Sequence, residues 1–172
     1  LAGAVEDLLA RHEVLRTCIP DDDGVPFTRL AEPGPRLVVH DLSTLPEAER
    51  NAAAHRLADE EAVRPFDLAT GPLVRITLLR LAADDHVLLW TYHHIVFDGW
   101  SPTIFFRDFT ELYQARLAVR NNQRSFLKVT LPQGALVWSS SVAGRAVRAG
   151  QGPDGSLLFP LRLTAHRGHA YP

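Results

Sequence analysis

Apolar and polar positions follow two periods along this chain, one of two residues and one close to 3.6. Over residues 73–81, Val74, Ile76 and Leu78 alternate with Arg75 and Thr77, the pattern of a strand with one buried face. Residues 86–94 are a denser run, His86-Val87-Leu88-Leu89-Trp90-Thr91-Tyr92-His93-His94, which predicts a buried strand. Ala82-Ala83-Asp84-Asp85 joins the two as an antiparallel hairpin. The helical period governs three stretches. Leu1, Val5, Leu8 and Leu9 place an amphipathic helix over residues 1–12. Thr44 and Glu47 fit a capping box with Pro46 in the first turn, so a second helix is expected over 46–62, its alanines packing close to a sheet. A third is expected over 102–118, where Phe105, Phe109 and Leu112 lie on one line and Phe106, Tyr113 and Leu117 on the next, an aromatic stripe read as core. Shorter strands are expected at Val14–Ile19 and Pro26–Leu30 about a turn at Pro20–Gly24, and at Arg36–His40. Together these predict an α+β fold for residues 1–118, a largely antiparallel, mixed sheet with packed helices.

After residue 118 the periodicity stops. Asn121-Asn122-Gln123-Arg124 and a Gly- and Ser-rich stretch follow, and the charge reverses. Residues 1–118 hold 19 acidic and 11 basic side chains, all of the latter arginine, whereas 119–172 hold seven basic ones against Asp154 alone. Residues 119–172 therefore read as a separate basic tail of poor order. A peptide translated from a shifted reading frame explains so abrupt a change better than a divergent one does. The tail's charges form no stripe and interleave with no stacking aromatics, so nucleic-acid binding is not expected. A chain of 172 residues that is 46% hydrophobic and 22% charged is an ordinary globular composition. Its longest apolar runs fall far short of the ~18 residues a membrane helix needs. Cys18 is the one cysteine and methionine is missing altogether, so a reducing cytoplasm and a fragment of a longer reading frame are the expectations.

The chemistry concentrates in His93-His94-Ile95-Val96-Phe97-Asp98-Gly99-Trp100-Ser101, where the apolar strand ends and a helix begins. Ser101 and Pro102 suit the N-cap and first position of that helix. Successive strand side chains point to opposite faces, so one imidazole should meet a cavity and the other the packed interior. Histidine exchanges a proton near neutrality, Asp98 could orient it or pair with an arginine, and Gly99 allows close backbone approach. Two plainer readings compete: a structural histidine at a strand end, and a His-His-x-x-x-Asp metal site. The metal reading is weak, because adjacent strand histidines diverge and no Cys or Glu cluster supplies further ligands.

These nine residues resemble the HHxxxDG signature of nonribosomal peptide synthetase condensation domains, in the chloramphenicol-acetyltransferase-like acyltransferase superfamily. Arg11-His12-Glu13-Val14-Leu15-Arg16-Thr17 is similar to that family's RHEVLRT motif, and Arg64-Pro65-Phe66-Asp67-Leu68 with Gly71-Pro72-Leu73 to its RPFDL-x-x-GPL segment. The likeness spans residues 1–118 and implies a chloramphenicol-acetyltransferase-like N-terminal lobe. It also implies amide-bond formation between aminoacyl or peptidyl groups carried as thioesters on carrier proteins. On this resemblance His94 accepts the amine proton or holds the amine, and Gly99 approaches the developing oxyanion. Asp98 is structural, with Arg16 as its expected ion-pair partner, while His93, Trp100 and Ser101 support the loop. No metal or organic cofactor is implied, since phosphopantetheine belongs to the partner carrier proteins. The resemblance leaves the C-terminal lobe unaccounted for, so the isolated chain is expected to be inactive. The rival readings are a coenzyme-A-dependent acyltransferase of the same superfamily and an inactive remnant.

Overall fold

The computed structural model describes residues 1–98 and 100–117, together with the helical backbone of 118–121 and the strand segments at 126–130, 139–142, 145–148 and 156–166. In chain order the elements are α1 (Ala2–Arg11), β1 (Thr17–Cys18), β2 (Asp21–Asp22), β3 (Val25–Pro26), β4 (Arg29–Leu30) and β5 (Leu37–Asp41). They continue with α2 (Glu47–Val63), β6 (Val74–Arg80), β7 (Asp85–His93), α3 (Ser101–Asn121), β8 (Phe126–Thr130), β9 (Ser139–Val142), β10 (Arg145–Arg148) and β11 (Ser156–His166). Two 3-10 turns, Glu13–Arg16 and His94–Val96, follow α1 and β7.

The principal sheet has the order β5-β6-β7-β11-β8. β6 and β7 form the expected antiparallel hairpin, with Val74 opposite Tyr92 and Arg80 opposite His86. β5 runs parallel to β6, which makes the sheet mixed. β11 lies antiparallel to both β7 and β8, so a segment that the sequence reading set in the tail sits within the sheet. Its run Leu157-Leu158-Phe159-Pro160-Leu161-Arg162-Leu163 is apolar enough for such a place, but Pro160 reads as a strand breaker and hides the pattern.

β6 and β7 are buried on both faces, not one as the alternation of 73–81 suggests. Val74, Ile76, Leu78, Leu88, Trp90 and Tyr92 turn toward α1 and α3, where they meet Leu8, Phe105 and Phe109. Leu79, Val87 and Leu89 turn the other way, onto Ala54, Ala58 and Ala62 of α2. The four-residue spacing of those alanines leaves no side chain to hold α2 off the sheet, so Thr77 is buried as well. The aromatic stripe of α3 is core: Trp90 meets Phe105 at 4.5 Å between ring centroids in an edge-on arrangement.

Two local expectations fail for identifiable reasons. α2 starts at Glu47, one residue after Pro46, so Glu47 is in the first helical position rather than the third and Thr44 lies too far upstream to cap. Arg50 instead reaches back to the carbonyls of Leu45 (3.0 Å) and Ser43 (3.4 Å). Residues 14–19 are not one strand. Leu15 drops into the core at 3% exposure while Val14 stays outside, a 3-10 geometry that only then gives way to the two-residue β1.

Candidate functional site

β7 delivers the histidines, and its last residue decides how they diverge. The strand ends at His93, and His94 opens a 3-10 turn, so the two side chains separate through this change of backbone and not through strand alternation. Val96 at the end of the turn and Phe97 just after it are buried, Phe97 lying 3.9 Å from Tyr92 between ring centroids. The other two residues of the turn, His94 and Ile95, are exposed. Burial also holds the Tyr92 phenol far above its usual range, leaving it un-ionised.

His93 is half-buried and held from three sides. Its backbone N–H donates to the Leu73 carbonyl (2.9 Å), and its ring stands perpendicular to that of Phe66 at 6.2 Å between centroids. Its Nδ1 accepts the Ile95 N–H at 3.2 Å, so the first histidine caps the turn that carries the second. That bond requires Nδ1 to be unprotonated and places the ring proton on Nε2.

Asp98 does not pair with Arg16. The Arg16 Nε–H donates to the Leu9 carbonyl (2.8 Å) at the end of α1, and Asp98 makes no ion pair among the described residues. Its Oδ1 accepts instead from the N–H groups of Trp100 (3.1 Å) and Ser101 (2.9 Å) and from the Ser101 hydroxyl (2.7 Å). The Asp98 N–H donates back to Ser101 Oγ at 3.1 Å. These bonds, led by the Ser101 hydroxyl, hold the Asp98 carboxyl below the usual range although the residue is exposed. Gly99 lies outside the described residues. Trp100 is 82% exposed, and Ile95 and Ile104 on either side of it in the chain are exposed as well.

Under the loop lies a small cavity of about 120 Å³, lined by His12, Val14, Leu15, Val96, Phe97, Ser101, Ile104 and Phe105. His12 Nε2 is 3.0 Å from Oδ2 of Asp108, a buried residue of α3 that also takes both Nε and Nη2 of Arg107. Burial alone would raise the Asp108 carboxyl, but Arg107 and His12 outweigh it and hold it low. The sequence reading missed this pair, and it missed Arg75, whose place in the strand alternation suggested a solvent-facing side chain. No cluster of three His, Cys, Asp or Glu able to hold a metal is found among the described residues, and none of their helices is long and apolar enough to cross a membrane.

The family model for the condensation domain matches residues 1–128. Phosphinothricin tripeptide synthetase PhsC of Streptomyces viridochromogenes is 50% identical over 113 residues, which are 65% of this chain and 10% of that protein. A linear gramicidin synthase of Brevibacillus parabrevis is 48% identical over 116 residues, 65% of this chain and 2% of that protein. The chain thus spans a tenth or less of these relatives. Among solved structures, the starter condensation domain of rhizomide synthetase RzmA superposes with a TM-score of 0.61 at 26% identity, over 68% of this chain and 28% of that one. A variant of that domain is solved in complex with C8-CoA. A mixed sheet helix-covered on both faces, with a histidine pair where its long hairpin strand ends, is a chloramphenicol-acetyltransferase-like lobe. Within that class the chain belongs to the condensation-domain family.

Proposed function

We propose that this lobe forms amide bonds between an acyl thioester and an amine, both delivered on phosphopantetheine arms of carrier proteins. The observation that carries the reading is the presentation of His94, exposed on a turn fixed from below by Val96 and Phe97 and capped from behind by His93. An imidazole held in this way takes the proton from the attacking amine, or holds that amine in line with the thioester carbonyl. The amine nitrogen bonds to the carbonyl carbon, the carbon–sulfur bond breaks, and the proton leaves with the thiol. Asp98 and Ser101 keep the loop in place, and Gly99 gives the backbone room near the oxyanion. The lobe itself holds no cofactor and works with a second lobe that closes the cleft, in a cytoplasmic synthetase. The test is to supply a complete condensation domain containing this lobe with loaded donor and acceptor carrier proteins and to follow the amide product by mass spectrometry.

A second reading has one observation in its favour, the C8-CoA complex of the RzmA domain variant. Product formed from acyl-CoA with no donor carrier present would support it.

A further inference from the structure

We infer that Phe66 and Arg75 form a bracket that positions the histidine pair, acting through His93 without touching the reacting groups. The inference rests on the role proposed for His94. Arg75 leaves β6 on the same sheet face as His93 leaves β7, the face covered by α2. Its side chain and that of Glu61 are each only 13% exposed and form an ion pair. The guanidinium also donates to the carbonyls of Glu61 (3.2 Å), Arg64 (2.8 Å) and Pro65 (3.3 Å), binding the otherwise open C-terminal end of α2. Four acceptors around one planar group fix its plane, which a lysine ammonium cannot reproduce.

That plane lies 3.7 Å over the centre of the Phe66 ring. The Phe66 ring in turn meets His93 at an interplanar angle of 86°. Phenylalanine suits the position because it offers a face to the cation and an orthogonal contact to the imidazole, whereas an aliphatic side chain of like size offers neither. One side of Phe66 borders an open cavity of about 410 Å³, so filling the core does not by itself require an aromatic ring there. The order of support runs from the end of α2 to Arg75, from Arg75 to Phe66, from Phe66 to the His93 ring, and from His93 Nδ1 to the turn that presents His94.

The tautomer of His93 reports the bracket directly. In the 172-residue chain labelled with ¹⁵N-histidine, the wild type should show His93 as a single Nε2–H tautomer. Phe66→Leu should convert it to a mixture, and Phe66→Tyr should restore it. In a complete condensation domain containing this lobe, Phe66→Leu should lower kcat about 10- to 100-fold with KM unchanged, the size expected of a small misplacement. Arg75→Lys should act in the same direction and decides the matter if Phe66→Leu does not fold. An unchanged tautomer and unchanged kcat in the folded variants would overturn the bracket. His94→Ala separates the two ideas: loss of condensation there, with Phe66→Leu at full rate, sinks the bracket alone. Full rate in His94→Ala sinks the reading beneath it.

Discussion

Asp98 and Ser101 cap one another at the start of α3: the carboxylate accepts the Ser101 N–H and hydroxyl, and the serine oxygen accepts the Asp98 N–H. The bonding pattern is that of a capping box, set in the loop just ahead of α3, whose first residue is Ser101. An amide oxygen can replace the carboxylate oxygen in every one of these bonds. Asp98→Asn should therefore lower the thermal midpoint less than Asp98→Ala, which should lower it by about 1–8 °C. Calorimetry on the two variants checks this. Equal losses would show that the negative charge, and not the cap, holds the loop.

The pH dependence has a definite sign. The folded Asp98 carboxyl is held low by its cap, so its stabilisation is complete above the range where an unfolded aspartate titrates and is lost as pH falls through the folded value. The Asp98→Asn variant has no such group. Urea midpoints of wild type and Asp98→Asn should converge between about pH 7 and about pH 2, and a gap that widens on acidification would contradict the assignment.

Gly71 has a positive φ of 63°, and a Cβ there would sit 2.9 Å from Cβ of Cys18 and 3.1 Å from Cβ of Ala31. Neither neighbour is a flexible side chain that can swing away. Gly71→Ala should cost about 1–3 kcal/mol of stability from the backbone alone, measured by equilibrium unfolding. A neutral substitution would show that Gly71 is not seated against Cys18 and Ala31 as described.

Asp108 is buried and holds His12, with Arg107 on its other oxygen. Removing it deprives two donors of their partner, and Asp108→Ala should lose about 1–3 kcal/mol. Because Asp108 lies on α3 and His12 at the end of α1, the loss should appear first in the contact between those helices, read by amide exchange along residues 2–11. Unaltered exchange there would place the energy elsewhere.

Much of this molecule could be read from period and motif. The β6–β7 hairpin, three helices and the histidine loop follow from local spacing, because each buries its own apolar face. What escaped the sequence was decided at a distance. Arg75 looks solvent-facing in a two-residue period, yet α2 covers that face and Glu61 meets it. The resemblance made Arg16 the expected partner of Asp98, but each is satisfied locally, one on the Leu9 carbonyl and the other on Ser101 at the start of α3. The opposition of His93 and His94 was anticipated for a reason that does not hold, since the strand ends between them. β11 was invisible because its partner strands lie far away in sequence and Pro160 interrupts its pattern.

The central claim is that His94 acts on the amine, and single-turnover condensation with pre-loaded carrier proteins measures it most directly. In a complete condensation domain containing this lobe, His94→Ala should slow amide formation by about 100- to 10,000-fold while leaving the thermal midpoint unchanged, because the side chain is exposed. His93→Asn, which keeps an acceptor for the Ile95 N–H, should retain more activity than His93→Ala. Wild-type rates in a folded His94→Ala variant would contradict the account.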